Sequence, residues 1–311
     1  MSTTGMTILY RIKLYRGAND HANADQTQAR AKSSPGGRAS RQRSQASKGT
    51  AEENRKSSRT RRGHHQTGDG AQHLGDKDRR VVVAVSTLSA VEEDGFAILP
   101  EVILPCEARQ LIDEIDHLSL RRTKAGIRHA LRHPAIARLA REPRLLYLAR
   151  EILGLEALPF RATLFDKSPQ GNWLVVWHQD TALPLRDRSD TPGWGLWSVK
   201  DGIVYAHAPA GALCRVLALR IHLDNCTTHN GPLRVLPGTH TQGVLSDDAL
   251  QELAAQIDPV DCLVPQGGVL VMRPLLVHAS SKSQLEAPRR VLHIEYAASM
   301  MIDTNLELNV A

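Results

Sequence analysis

The hydrophobic pattern of the chain changes period once. From Cys106 to Leu120 the apolar residues Leu111, Ile112, Ile115 and Leu118 recur at helical spacing. Pro134–Arg141 and Pro143–Leu153 predict two more helices, each opened by a proline in the first turn, where a missing N–H is no loss. Upstream, Glu92–Glu93–Asp94–Gly95 before Phe96–Ala97–Ile98–Leu99 predicts a helix end, a glycine and a short strand. The β-branched run Val81–Val85 marks the expected start of structure. After Leu158 the helical period gives way to short β-rich runs: Arg161–Phe165, Trp173–Trp177, Leu213–Leu223, Pro232–Leu236, Gly268–Met272 and Arg290–Ala297. Asn230–Gly231 is a hairpin signal, and Pro237–Gly238 and Gln266–Gly267–Gly268 mark further turns. Helices first and strands afterwards predict an α+β chain whose jelly-roll or barrel core is flanked by N-terminal helices. The polar, glycine-rich stretch Asp187–Gly211 is expected to be a long loop serving as a substrate lid.

Composition sets the first 80 residues apart. They carry 17 Lys/Arg against 7 Asp/Glu, whereas the remaining 231 residues carry 22 against 26. No aromatic residue stands between Tyr15 and Phe96. Such a segment buries too little apolar surface to offset its chain entropy, so residues 1–80 read as a disordered basic tail and 81–311 as one catalytic domain. Any affinity for nucleic acid or an anionic surface is confined to the run Arg38–Arg62; a solvated leader or an upstream start-site extension is the plainer reading. Cys106, Cys214, Cys226 and Cys262 are widely spaced, as suits reduced thiols. No apolar run approaches the roughly 18 residues of a membrane span, so the expected setting is cytoplasmic, without a membrane partner. The pattern carries no signal for subunit number.

The chemistry lies in two places. In Trp177–His178–Gln179–Asp180, strand alternation puts His178 and Asp180 on one face and turns Gln179 away. Far along the chain, Leu275–Leu276–Val277–His278–Ala279–Ser280 ends another apolar run. Two imidazoles and a carboxylate on one side of a metal leave open positions for a chelating oxo acid and dioxygen, the facial triad of non-haem iron(II) oxygenases. Arg289 follows His278 by eleven residues, at the start of a strand, where its fork suits the far carboxylate of such an acid. A small ligand in place of Asp180 would point to halogenation instead; Asp180 argues against that. A binding protein that keeps the barrel without the chemistry is the rival from another class.

Residues 86–298 resemble the phytanoyl-CoA dioxygenase family in order and spacing. The matching stretches are Glu93–Asp94–Gly95–Phe96, Leu164–Phe165–Asp166–Lys167–Ser168–Pro169, Asn172–Trp173, Trp177–His178–Gln179–Asp180, Leu223–Asp224, Asn230–Gly231–Pro232–Leu233, Leu236–Pro237–Gly238–Thr239–His240, and His278–Ala279–Ser280 with Arg289 and Tyr296. The resemblance implies a double-stranded β-helix of the cupin-like kind, with Fe(II), 2-oxoglutarate and O2. It assigns His178, Asp180 and His278 to iron, and Arg289 to 2-oxoglutarate because it stands seven residues before Tyr296. That leaves Arg290 for the exterior. Lys167 would be a second cosubstrate contact. Ser280 would touch the same carboxylate or satisfy nearby backbone. The implied activity is hydroxylation of an unactivated C–H bond in a small molecule, with 2-oxoglutarate decarboxylated to succinate and CO2.

Further candidates come from the residues themselves. All four tryptophans stand near the HxD stretch, and Trp177, Trp194 and Trp197 are taken as substrate contacts together with His207 and Lys200. If Arg289 points inward, His293 and Glu295 do too. Arg220 and His222 share one face of their strand, and either solvent or a cavity would suit that face. His240 is expected to be a structural hydrogen-bond partner.

Overall fold

The computed structural model describes residues 86–117, 123, 126–169 and 171–311. The tail and Val81–Val85 lie outside the described residues, as does Leu118–Leu120 at the end of the first predicted helix. Residues 86–93 are helical and give way to strand β1 (Phe96–Leu99) at Asp94–Gly95. Three helices follow. Helix α1 (Pro105–Asp116) is closed at its start by Glu107, whose carboxylate accepts from Leu104 N–H at 2.6 Å. Helix α2 (Pro134–Ala140) and helix α3 (Pro143–Leu153) each open on the predicted proline. In α3 the Glu142 carboxylate caps Arg144 N–H at 2.7 Å.

Next come β2 (Leu158–Lys167), β3 (Val175–His178), β4 (Ala182–Leu185), β5 (Gly195–Lys200) and β6 (Ile203–His207). A helical turn, α4 (Ala210–Leu213), leads into β7 (Val216–His222) and β8 (Leu233–Val235). Helix α5 (Asp247–Gln256) precedes β9 (Val260–Cys262), β10 (Val269–Met272), β11 (His278–Ser280), β12 (Arg289–Ala297), β13 (Met301–Asp303) and β14 (Leu306–Glu307). Strands β1-β10-β7-β12-β2 form one sheet, and β3-β11-β8-β9 form a second. The two pack through Phe96, Ala218, Leu233, Val235, Leu270, Met272 and Leu276. The result is a double-stranded β-helix, a jelly-roll with α1 to α3 on the outer face of its larger sheet. That outer face is apolar: Leu219, Ile221, Val271, Leu292 and Ile294 meet Leu111, Ile112, Ile136 and Leu145 of the helices. Tyr296 fastens the layers by donating to Ala140 O at 2.8 Å.

Two expectations need correction. Asp187–Gly211 is not a loop. Strands β5 and β6 pair there and add β4 to make a third sheet, because Trp194, Ile203, Tyr205 and Ala206 bury their side chains. Its hairpin turns at Asp201–Gly202, with φ of 50° and 82°, a left-handed pair that glycine makes cheap. Leu213 closes the turn α4 instead of starting β7. Helix α5, with Ser246 accepting from Ala249 N–H as its N-cap, was not anticipated.

Candidate active site

The HxD motif sits where β3 ends. His178 is the last residue of β3, and its partner across the sheet is His278 of β11. Asp180 stands two residues further on, held by its own N–H to Pro274 O at 2.9 Å. Gln179 faces away and acts as the fastener. Its amide donates to Gly243 O at 2.9 Å and Leu275 O at 2.8 Å, and its Oε1 accepts from Leu245 N–H at 2.9 Å.

Backbone carbonyls fix both imidazole tautomers. His178 Nδ1 lies 2.9 Å from Val176 O and 3.1 Å from His278 O, and His278 Nδ1 lies 2.8 Å from Leu276 O. A carbonyl only accepts, so each Nδ1 carries the proton and each Nε2 presents a lone pair. Those Nε2 atoms face Asp180, at 3.7 Å from Oδ1 and 3.6 Å from Oδ2. One ligand atom from each of the three residues falls within 4.8 Å of the others. Burial, then the neighbouring His178, pushes the His278 pKa down to about 3, which keeps its ring in the neutral, ligating form. Burial alone would raise Asp180, but His278, His178, His293 and Arg161 outweigh it and hold the carboxyl below its usual range. Two imidazoles and a carboxylate, with no thiolate, are a donor set that fits Fe(II).

The interior face of the larger sheet is cationic. Arg289 and Lys167 are register partners on β12 and β2, and both are buried. Arg289 Nε donates to Asn230 O at 3.0 Å. Lys167 Nζ donates to Ser280 Oγ at 2.7 Å and to Ser281 O, while Ser280 Oγ donates to Gly231 O at 2.9 Å. Gly231 has φ of 70°, and a Cβ there would run into Ser281 O, so the Asn230–Gly231 turn needs its glycine. Burial first, then the charges of Arg289 and Arg220, pushes the Lys167 pKa down to about 7. Arg220 and His222, left open between solvent and cavity, lie on this same buried face.

Other candidates separate. His293 is buried, with Nδ1 2.9 Å from Arg220 Nη1 and Nε2 3.6 Å from Glu295 Oε2. Glu295 in turn takes both Nε and Nη2 of Arg161, whose Nη1 donates to Ala182 O at 2.7 Å. Arg161 lies against Tyr205, whose hydroxyl meets His129 Nε2 at 3.0 Å. Arg161, Tyr205 and His129 carried no signal in the sequence, because each stands alone in an ordinary run. His207 is exposed, with Nδ1 2.7 Å from Thr181 Oγ1 beside Asp180. Lys200 Nζ lies over the Tyr205 ring at 4.7 Å.

The tryptophans do not converge. Trp177 packs with Leu236, Leu250 and Val277, under the Arg234 guanidinium. Trp194 is buried with Phe160 and Leu183 and donates its indole N–H to Asp303 at 2.8 Å. Trp197 packs at the edge of that cluster beneath Arg188. Trp173, in contrast, lies 5.7 Å from Lys167 Nζ. His240 bonds the Glu92 carbonyl at 3.2 Å, in keeping with a structural part.

Among the described residues no helix is long and apolar enough to cross a membrane. Residues 91–291 match the family model described as Phytanoyl-CoA dioxygenase (PhyH). An ectoine dioxygenase of Bordetella parapertussis is 27% identical over 219 residues, covering 61% of this chain and 64% of that protein. An L-proline trans-4-hydroxylase of Streptomyces griseoviridis is 24% identical over 241 residues, covering 65% and 82%. The crystal structure of the epimerase SnoN in complex with Fe3+, alpha ketoglutarate and nogalamycin RO shares the fold at a TM-score of 0.55. It is 17% identical and covers 74% of this chain and 87% of that one.

Proposed function

The chain belongs to the phytanoyl-CoA dioxygenase family, and on that premise we propose that it is an Fe(II)- and 2-oxoglutarate-dependent oxygenase that hydroxylates an unactivated C–H bond of a small polar molecule. The observation that carries the reading is one barrel interior with two kinds of chemistry. Three metal-type ligands, His178, Asp180 and His278, stand at one end, and buried cations without carboxylate partners stand at the other.

In this reading His178 and His278 hold the metal through Nε2 and Asp180 through its carboxylate. Arg289 and Lys167 take the far carboxylate of 2-oxoglutarate, with Ser280 keeping Lys167 in place. Bound together, iron, 2-oxoglutarate and O2 supply the oxidising power: one oxygen atom enters the substrate C–H bond, the other enters succinate, and CO2 leaves. The protein binds and orients the reactants. Val176 O and Leu276 O lock the imidazole tautomers, Gln179 pins the loop that carries Asp180, and the apolar packing between the sheets keeps water out.

We infer that the primary substrate approaches from the side of β4, β5 and β6, where Thr181, next to Asp180, and His207 offer polar groups and Lys200 lies over the Tyr205 ring. Ectoine and proline, named for two relatives, are small and polar, which supports that class here. Candidate small polar molecules, added to anaerobically reconstituted Fe(II) protein and then exposed to O2, should raise succinate release from 2-oxoglutarate. Absence of any 2-oxoglutarate turnover, coupled or uncoupled, would overturn the reading.

A further inference from the structure

Arg220 is an anomaly that the metal ligands and the Arg289–Lys167 pair leave unexplained. Its side chain is 6% exposed, it makes no ion pair among the described residues, and its Nε has no hydrogen-bond partner. Two residues on, along the same face, neither ring nitrogen of His222 has a hydrogen-bond partner among the described residues. An enclosed guanidinium without an anion is costly, by several kcal/mol in general terms. Such groups persist where a ligand supplies the missing charge.

The position of Arg220 says which charge. Lys167 and Arg289 are register partners and mark one end of the cavity. Arg220 is the register partner of His293, four residues further along β12 than Arg289. At about 3.3 Å per residue, that is ~13 Å along the sheet, toward the metal ligands. The field of each cation agrees with this order. Arg220 bears on both Asp180 and His278, and also on Lys167 and His222. Arg289 bears on Lys167, Arg220 and His222. Arg220 therefore stands between the metal ligands and the far-carboxylate pair.

Its direction is held as well. The guanidinium lies 5.2 Å from the Phe165 ring centroid, and Nη1 donates to His293 Nδ1 at 2.9 Å. Arginine only donates, so Nδ1 of His293 is the acceptor and its proton resides on Nε2, facing Glu295. Glu295 is itself clamped by Arg161. A buried row of groups thus aims Arg220 inward.

A 2-oxo acid that chelates a metal gives one oxygen of its C1 carboxylate to the ion and keeps the other. Resting on the reading above, we propose that Arg220 is a third cosubstrate contact, holding that second oxygen of the metal-end carboxylate while Arg289 and Lys167 hold the far end. His293 is then a positioning residue for Arg220.

The test uses the full-length protein loaded with Fe(II) and 2-oxoglutarate without O2, read by the visible metal-to-ligand charge-transfer band of the chelate. Arg220→Gln and Arg220→Lys should weaken 2-oxoglutarate binding by about tenfold or more, the scale of one or two charge-assisted hydrogen bonds. At saturating 2-oxoglutarate they should also move the band, because the chelating carboxylate has lost its partner. Arg289→Lys should weaken binding but leave the saturated band in place. The lysine variant keeps the charge and guards against a folding defect in the glutamine one. A saturated band identical to wild type in both Arg220 variants overturns the proposal, whatever their affinity. Failure of the wild type to form the band at all removes the oxygenase reading, and this inference with it.

Discussion

Arg289 and Arg290 are joined by one peptide bond and serve opposite sides of the same strand. Arg290 points to the helix side, where its Nε and Nη2 take the two oxygens of Asp224 at 2.9 and 3.1 Å and its Nη1 reaches Asp116 at 3.1 Å. Arg289 is buried on the inner face beside Lys167 and pairs with no carboxylate among the described residues. Arg289→Ala should raise the half-saturating 2-oxoglutarate concentration about tenfold or more, since two charge-assisted hydrogen bonds are lost. Arg290→Ala should leave that value nearly unchanged and cost about 1–3 kcal/mol of stability by unpairing Asp224. Steady-state titrations and denaturant unfolding of both variants check the pair; the reverse pattern would exchange their assignments.

The metal ligands make a second prediction. Apo protein should take up about one Fe(II) per chain, and His178→Ala, Asp180→Ala and His278→Ala should each weaken uptake by more than tenfold, because two remaining ligands no longer set the geometry. Gln179→Ala should leave one Fe(II) bound but weaken it by a smaller factor, having lost three bonds that hold Asp180 in place. Anaerobic metal titrations decide this, and full uptake by any of the three alanine variants would break the assignment.

Lys167 predicts a proton coupled to cosubstrate binding. Its pKa is pushed from 10.5 to about 7 by burial and by Arg289 and Arg220, so above pH 7 the ligand-free amine is mostly neutral. An arriving carboxylate favours the ammonium form, so binding draws in a proton. Affinity for 2-oxoglutarate should therefore be greatest below about pH 7 and should fall toward tenfold per pH unit above it. Calorimetry in buffers of different ionisation enthalpy should show uptake approaching one proton at pH 8, and Lys167→Met should remove it. No proton exchange in the wild type would contradict the depressed pKa.

Glu295 and Arg161 form a buried pair, with Glu295 1% exposed. Glu295→Gln keeps the shape and removes the charge, leaving Arg161 enclosed and uncompensated. Loss of one partner from such a pair costs about 3–5 kcal/mol. At roughly 2–4 °C per kcal/mol for a domain of this size, the melting temperature should fall by about 10 °C. The double variant Arg161→Met, Glu295→Leu should recover part of that loss. A melting temperature unchanged in Glu295→Gln would show the pair to be solvated.

Legibility in the sequence followed periodicity. The prolines of α2 and α3 and the Asn230–Gly231 turn each leave a local mark, and the helices and the turn were readable from them; the inward face of β12 was not, because its alternation shows no clean apolar side, and Arg289 was chosen over Arg290 by its spacing from Tyr296 in the family resemblance. His178, Asp180 and His278 were found because a short spacing plus a distant histidine is a pattern with a chemical meaning. Arg161 and Tyr205 were not: each matters only through a partner brought close by the fold. The Asp201–Gly202 hairpin was missed although its signal was present, because the surrounding polar residues outweighed it in the reading of Asp187–Gly211. The tryptophans show the limit of sequence proximity. Nearness in sequence to His178 says nothing about facing it: Trp177, one residue away, packs with Leu236, Leu250 and Val277.

His178 and His278 sit directly across from each other on paired strands, although a hundred residues separate them along the chain. For the hundred residues between them a growing polypeptide therefore carries only half of a metal centre. The HxD half comes first, on β3, and β11 must follow before both imidazoles face one point. Contacts of such long sequence separation form late and slowly. Premature iron capture by a partly made chain is thus disfavoured by topology alone, and a chain truncated before residue 278 leaves the edge strand β3 without β11, its partner in the sheet, where it invites the wrong neighbour.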